Sequence, residues 1–513
     1  MFRPAAIVAS GTLTSRLLGF LRDAMIAALL GAGPVADAFL AAFQLVNVAR
    51  RLLGEGALNT ALVPAWLAVH QRDGAVAAAA FAGRVLGAIS LAVVVAAVLL
   101  GLAMPLVLGL LAPGFAGTAT LQLAIDDARL MLPYLAFAGP VTVLLAVFNA
   151  QHRVALTAFA PVLFNLALIA VMAILMLRAT APDTVALLVA STVGVAGLLQ
   201  LTALLLGGRA DRVASPVRLS FDPEVRRLFG KALPGMVASA GPQLSIVAAA
   251  IVASSSPSAV SWLYFAHRLI DLPLGLLGAV MGLALMPQLT RAVQAGDTAA
   301  AGHAQSRAVE LAVGLALPAA LGLAVLAQPI VRVLFEHGAF EPADTAATAA
   351  ALIWFAAGLP AQVLTKTASP AFFARGDTTT PFVATLKGLL IAAALALLLG
   401  HLFGIEGIAA GLALGAWSTA FTLTRRGAET FGFAIDAEAR RRLPRIVLAA
   451  GLMGGLLWLK ARYVWPLAGD AHGLVQVAIL AVLIAAGVAV YAGLLALLGV
   501  VRPSDAAAAW RGR

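Results

Sequence analysis

The chain has no cysteine in 513 residues. That excludes a disulfide framework, a thiolate metal site and a cysteine nucleophile. Charge is scarce: Asp, Glu, Lys and Arg make up 11% of the residues, against roughly 25% in a soluble domain. Hydrophobic residues make up 62%, and no soluble globule of this size hides that much apolar surface. Soluble enzymes, disordered chains and secreted scaffolds are excluded. The 7 histidines are scattered singly, so no metal site is expected, and no cofactor. No Walker lysine or phosphate-cradling glycine loop appears, so the chain is not expected to hydrolyse ATP or to be an enzyme.

What is present comes in long apolar blocks. A helix needs about 20 such residues to cross a bilayer. A β-barrel would show short alternating segments instead. The reading is an all-α polytopic membrane protein with fourteen transmembrane helices, at about 4–31, 35–69, 77–110, 121–150, 156–178, 184–206, 228–253, 258–290, 305–334, 345–373, 381–402, 405–424, 443–463 and 473–500. The first block is not read as a cleavable signal, because Arg16, Arg22 and Asp23 interrupt it. Most of the 34 Lys and Arg, among them Arg72, Arg153, Arg226, Arg227 and Arg440 to Arg442, fall at one set of span ends. Arg129, Arg178, Arg332, Lys460 and Arg462 lie on the other side. By the positive-inside rule both termini are expected in the cytoplasm. The same bias gives the net charge of +11 and reads as contact with membrane lipids. It does not read as a nucleic-acid surface, since the basic loops alternate with spans.

The first half echoes the second at an offset of about 220 residues, as internal repeats in transporters do. Val63-Pro64 answers Met286-Pro287, Leu132-Pro133-Tyr134 answers Leu352-Ile353-Trp354, Phe148-Asn149-Ala150 answers Phe372-Phe373-Ala374, and Pro161 answers Pro381. Two parallel six-helix repeats around a central cavity follow, plus two C-terminal helices. The expected division is an N-lobe at 1–207, a linker at 208–227, a C-lobe at 228–424, a loop at 425–442, two extra helices at 443–500 and a tail at 501–513.

Charges inside spans cost at least roughly 2.5–3.5 kcal/mol each near the bilayer centre. Here the 7 cations are Arg16, Arg22, Arg50, Arg51, Arg268, Lys366 and Lys387, and the 4 acids are Asp23, Asp37, Glu55 and Asp271. Arg16, Gly19 and Asp23 share one helical stripe, and Arg51 and Glu55 are spaced to pair. The surplus of guanidinium suits a phosphate or diphosphate, which arginine binds through a planar fork. His267 stands beside Arg268 as a residue able to change charge near neutral pH. Lys387 lies near a span end and reads as snorkelling. Gly407, Gly411 and Gly415 read as a close-packing stripe.

The run Ser15-Arg16-Leu17-Leu18-Gly19-Phe20-Leu21-Arg22-Asp23 resembles the opening of the MurJ (MviN) lipid II flippases. Similar too are Asp37-Ala38-Phe39, Asn47, Arg50-Arg51 with Glu55-Gly56-Ala57, Ala112-Pro113-Gly114-Phe115, and Ser261 through Arg268. The resemblance runs over essentially the whole chain. It implies the multidrug/oligosaccharidyl-lipid/polysaccharide exporter fold, residence in the bacterial inner membrane, and lipid II as the partner, an undecaprenyl-pyrophosphate-linked peptidoglycan precursor. It implies substrate binding by Arg16, Arg22, Arg51 and Arg268. Asp23, Asp37, Arg50, Glu55, His267, Asp271 and Lys366 would serve as cavity ion pairs or gates, and the last two helices would hold the lipid tail. The chain departs from many relatives at His267, where they carry an acid, and at Gln44 and Val46, where well-studied members have lysine and proline. Its seventh span has no acid, so no sodium site is expected. The alternatives are a flippase for another undecaprenyl-linked oligosaccharide and a drug/cation antiporter of the same superfamily.

Overall fold

A computed structural model describes residues 2–54, 57–208, 213–214, 217–220, 222–230, 241–284, 286–465 and 473–501. Every regular element among them is helical, as an apolar chain in lipid requires, since each helix satisfies its own backbone polar groups. Nine helices among the described residues are long and apolar enough to cross a membrane. Two of these are overlong, Ala61–Leu102 with 42 residues and Thr379–Phe431 with 53. At about 1.5 Å per residue an unbroken helix of the second length would be roughly 80 Å long, more than twice the hydrocarbon thickness. Each is broken by a glycine with positive φ, Gly74 (83°) and Gly404 (59°), a conformation that other residues adopt at a cost.

The chain divides into two compact units. The first comprises Met1–Ser261 with His337–Glu341. Its helices are α1 (Phe2–Leu30), α2 (Pro34–Gly54), α3 (Ala57–Leu102), α4 (Met104–Leu111), α5 (Ala119–Ala150), α6 (Val154–Met176) and α7 (Pro182–Gly208), followed by Gly241–Ala253. α5 is the central helix, packed against α2, α3 and α7, while α1 lies on α6. Small residues on α7 allow the close approach: a Cβ on Gly197 would stand 2.7 Å from the Tyr134 ring. Backbone amides tie connecting segments to their neighbours. Ala339 donates to the Ala28 carbonyl at 2.8 Å, and Gly114 donates to Ser254 Oγ at 3.1 Å. A Cβ on Gly114 would meet the Ser254 carbonyl at 2.2 Å, so only glycine fits there.

The second unit comprises Trp262–Glu336 and Pro342–Arg513. Beyond Gly404 the helix folds back on itself along the glycine stripe. A Cβ on Gly411 would fall 2.4 Å from the Ala396 nitrogen, and one on Gly415 would fall 2.3 Å from the Ala392 Cβ. The C-terminal pair, Ala437–Val464 and Leu474–Leu497, is fastened to the Thr298–Val325 helix. Arg307 and Arg442 share the carboxylates of buried Glu310 and of Glu438, at 2.5–3.2 Å. Tyr491 Oη donates to the Gly314 carbonyl at 2.6 Å. The sequence reading did not anticipate this network. Its signal was Glu310, a single acid set in an apolar helix.

Candidate functional site

In the first unit the site is built on α1, α2, α5 and α6. Arg22 is 7% exposed and Asp23 fully buried. Adjacent helical residues do not ordinarily face each other, yet the Arg22 guanidinium folds back onto its neighbour. Nε and a terminal nitrogen donate to Asp23 Oδ1 at 3.0 and 2.7 Å. The other terminal nitrogen donates to Asn165 Oδ1 on α6 at 3.0 Å. Asn165 is itself fixed, since its Nδ2 donates to the Ser15 carbonyl at 3.1 Å. The guanidinium lies over Phe43 of α2 at 5.0 Å and near Phe164 at 6.0 Å. Tyr134 of α5 is buried against Phe164, with centroids 5.0 Å apart, and Arg22 and Arg50 are its charged neighbours. The result is a largely buried guanidinium walled by aromatic rings, its hydrogen bonds met by one carboxylate and one amide.

Arg16 lies half-buried two turns before Asp23 on α1, and Arg50 and Arg51 lie half-buried near the end of α2. Glu55, expected to pair with Arg51, lies outside the described residues.

Asp37 takes a different partner set. It is 1% exposed and accepts from Ser258 N at 2.8 Å, Ser261 N at 2.9 Å and Ser261 Oγ at 2.5 Å. These groups open the Ala259–Ala284 helix, whose first amides have no intrahelical acceptor. Ser258 has φ of +63°, a costly conformation for a non-glycine residue. Asp37 therefore acts as a capping carboxylate supplied from 221 residues away.

In the second unit the charges sit on the Ala259–Ala284 helix. Arg268 donates to Asp271 Oδ2 at 3.3 Å, and His267 Nδ1 stands 3.8 Å from Asp271 Oδ1. One carboxylate thus serves both neighbours through i,i+3 and i,i+4 spacing. The His267 ring meets Phe355 edge-on at 5.7 Å. Lys366 is exposed on the Pro342–Phe373 helix, with Nζ 3.9 Å from where a Cβ on Gly278 would stand.

The structure thus brings Arg22 and Asp23 together in one unit, and His267, Arg268 and Asp271 in the other. Sequence reasoning missed Asn165, Phe43, Phe164 and Tyr134. Of these only Asn165, a lone amide among apolar neighbours, carried a signal. Among the described residues no group of three or more His, Cys, Asp or Glu is placed to hold a metal ion.

The profile of the family described as "Lipid II flippase MurJ" matches residues 26–469. A "Probable lipid II flippase MurJ" of Rhizobium meliloti (strain 1021) is 36% identical over 500 residues, covering 95% of this chain and 92% of the relative. Its counterpart in Rickettsia prowazekii (strain Madrid E) is 30% identical, covering 98% of each chain. A solved structure titled "Lipid II flippase MurJ, inward closed conformation" superposes with a TM-score of 0.78 at 21% identity, over 96% of this chain and 98% of the other. An inward-facing multidrug resistance MATE family transporter of the MOP superfamily superposes at 0.67 and 17% identity, over 86% and 98%. At those identities the two solved structures speak to the fold.

Proposed function

The chain belongs to the lipid II flippase MurJ family, and from that premise we propose that its intramembrane arginines grip the diphosphate of lipid II during passage between leaflets. It is a multi-pass protein of the bacterial inner membrane. It translocates lipid II, and so serves peptidoglycan and cell-wall synthesis. With both termini cytoplasmic, the passage runs from the inner to the outer leaflet. It moves a molecule and breaks no covalent bond.

The observation that carries the reading is Arg22. A guanidinium held in a span by one carboxylate, one amide and aromatic faces is a preorganised fork for a phosphate oxygen pair. Its counterion is exchangeable: a diphosphate can replace Asp23 without leaving the cation bare. Arg16 and Arg51 add positive charge in the same unit, and Arg268 is a further substrate-binding guanidinium in its own unit. The Arg268–Asp271 hydrogen bond is long at 3.3 Å, and a long bond yields readily to a phosphate acceptor. Occupation and release alternate as access alternates between the two sides. Asp23, Asp37, Glu55 and Asp271 hold the empty protein together, with Arg50, His267 and Lys366 in the same role. The exposed apolar side chains of the terminal pair, among them Leu452, Leu456, Val482 and Val488, suit the polyprenyl tail.

The test is lipid II translocation in proteoliposomes and complementation of a strain depleted of its own lipid II flippase. Arg22→Ala that folds and inserts is expected to lose both activities. Full translocation by that variant overturns the assignment.

A further inference from the structure

One buried carboxyl has no part in that cycle as described. Asp127 lies in the third turn of α5 and is 1% exposed. Its Oδ1 is buried and, among the described residues, has no hydrogen-bond partner.

The charged groups around it are acidic. Asp126 on its own helix and Asp183 in the first turn of α7 are its charged neighbours. Arg129, the nearest cation in sequence, is exposed and donates to the Gly101 carbonyl at 3.3 Å. α4 carries no ionisable residue. The titratable groups of α3 are His70, Arg72, Asp73 and Arg84; His70 stacks on Trp66, and Arg72 and Arg84 pair with Asp73, Asp222 and Glu224. On α2, Asp37 is taken by Ser258 and Ser261, Arg50 stands by Tyr134, and Arg51 lies half-buried near the helix end. Oδ1 has no donor beside it among the described residues, and a proton on the carboxyl supplies what the buried oxygen lacks.

The surroundings also supply a route. Asp183 is exposed, Asp126 is half-buried and Asp127 is buried, so the three acids are graded from solvent inward. Asp126 is held by Gln122, whose Nε2 donates to it at 3.0 Å. Asp127 also shares a helix face with the site. Tyr134 follows it by seven residues, hence two turns on the same face, about 10 Å along the axis. Tyr134 is the residue whose charged neighbours are Arg22 and Arg50.

We propose that Asp127 is a proton-binding site of the transport cycle, loaded from solvent past Asp183 and Asp126 and read two turns along α5 by the Tyr134–Arg22 cluster. The inference rests on the lipid II reading for its consequence, though not for its chemistry. The proton comes from water and returns to water. With the proton bound, the Asp127 position carries no charge, and the guanidiniums are free to take a diphosphate. With it released, a buried negative charge two turns away holds the cations back and competes with the substrate.

Infrared difference spectroscopy on the full-length protein in lipid, without lipid II, tests the site directly over about pH 5 to 9, a range that free carboxylates leave empty. The expected result is a titrating carbonyl stretch of a protonated carboxyl that is lost in Asp127→Asn and displaced in Asp127→Glu. Absence of that band, its survival in Asp127→Asn, or its suppression by sodium at constant pH overturns the proposal. The transport arm adds the consequence. Wild-type translocation is expected to slow several-fold as pH rises through the titration, while Asp127→Asn keeps the acid-side rate throughout. A wild-type rate that ignores pH overturns the coupling. Wild-type protein that moves no lipid II at any pH speaks against the lipid II reading instead, and the infrared titration still decides whether Asp127 binds a proton.

Discussion

At the scale of the residue, the guanidinium fork matters more than its charge. Arg22→Lys keeps the cation but cannot donate to Asp23 and Asn165 at once with the same geometry. We expect at least a ten-fold loss of lipid II translocation in Arg22→Lys, with the melting temperature little changed. Activity within two-fold of wild type contradicts the role of the fork. Asp37 gives a second prediction. Asp37→Ala removes three hydrogen bonds from the start of the Ala259–Ala284 helix and leaves Ser258 in its left-handed conformation without compensation. Losing a cap costs about 0.5–2 kcal/mol, so thermal unfolding in detergent should fall by a few degrees.

Much of this was legible from sequence. Arg22, Asp23, Asp37 and Arg268 stand out because charge within apolar runs is costly. The partners were not legible. Nothing near Asp37 points to serines 221 residues away, and nothing near Arg22 points to Asn165, 143 residues on. Those choices are made by tertiary packing.

At the scale of the element, the glycine stripe and the caps set what each helix tolerates. The apolar blocks and their breaks could be read from the chain, including the reversal that Gly404 makes between the expected spans 381–402 and 405–424. What the blocks could not show is which helices carry the terminal pair, because Arg307, Glu310, Glu438 and Arg442 come from segments far apart. Gly411→Leu forces atoms onto the Ala396 backbone. Overpacking costs typically 1–3 kcal/mol and occasionally more, and backbone cannot step aside as a side chain can. The expected outcome is a loss of folded yield by size-exclusion chromatography, with Gly455→Leu, which meets nothing within 4 Å, as the tolerated control.

The capping loop carries a pH dependence. Asp436 accepts from Ala439 N at 2.7 Å and faces His303 at 3.0 Å. The backbone hydrogen bond first, and His303 second, hold its carboxyl below the ordinary range. A depressed carboxylate contributes stability that is full above the unfolded value, near 3.9, and lost as pH falls through the folded one. Thermal stability should therefore drop less between about pH 6 and 3 in Asp436→Asn than in wild type. Equal slopes contradict the capping role.

At the scale of the whole molecule, one chain of two units carries guanidiniums in both, at Arg16, Arg22 and Arg51 in one and at Arg268 in the other. The family match over residues 26–469 ties the chain to lipid II flippases. The diphosphate is the group gripped in the proposed cycle. The most direct test of that grip is the affinity of the purified, folded protein for lipid II, measured for wild type, Arg22→Ala and Arg268→Ala at two ionic strengths. Each alanine variant is predicted to bind at least ten-fold more weakly and to lose part of the salt dependence seen in wild type. Unchanged affinity and unchanged salt dependence in both variants would contradict it.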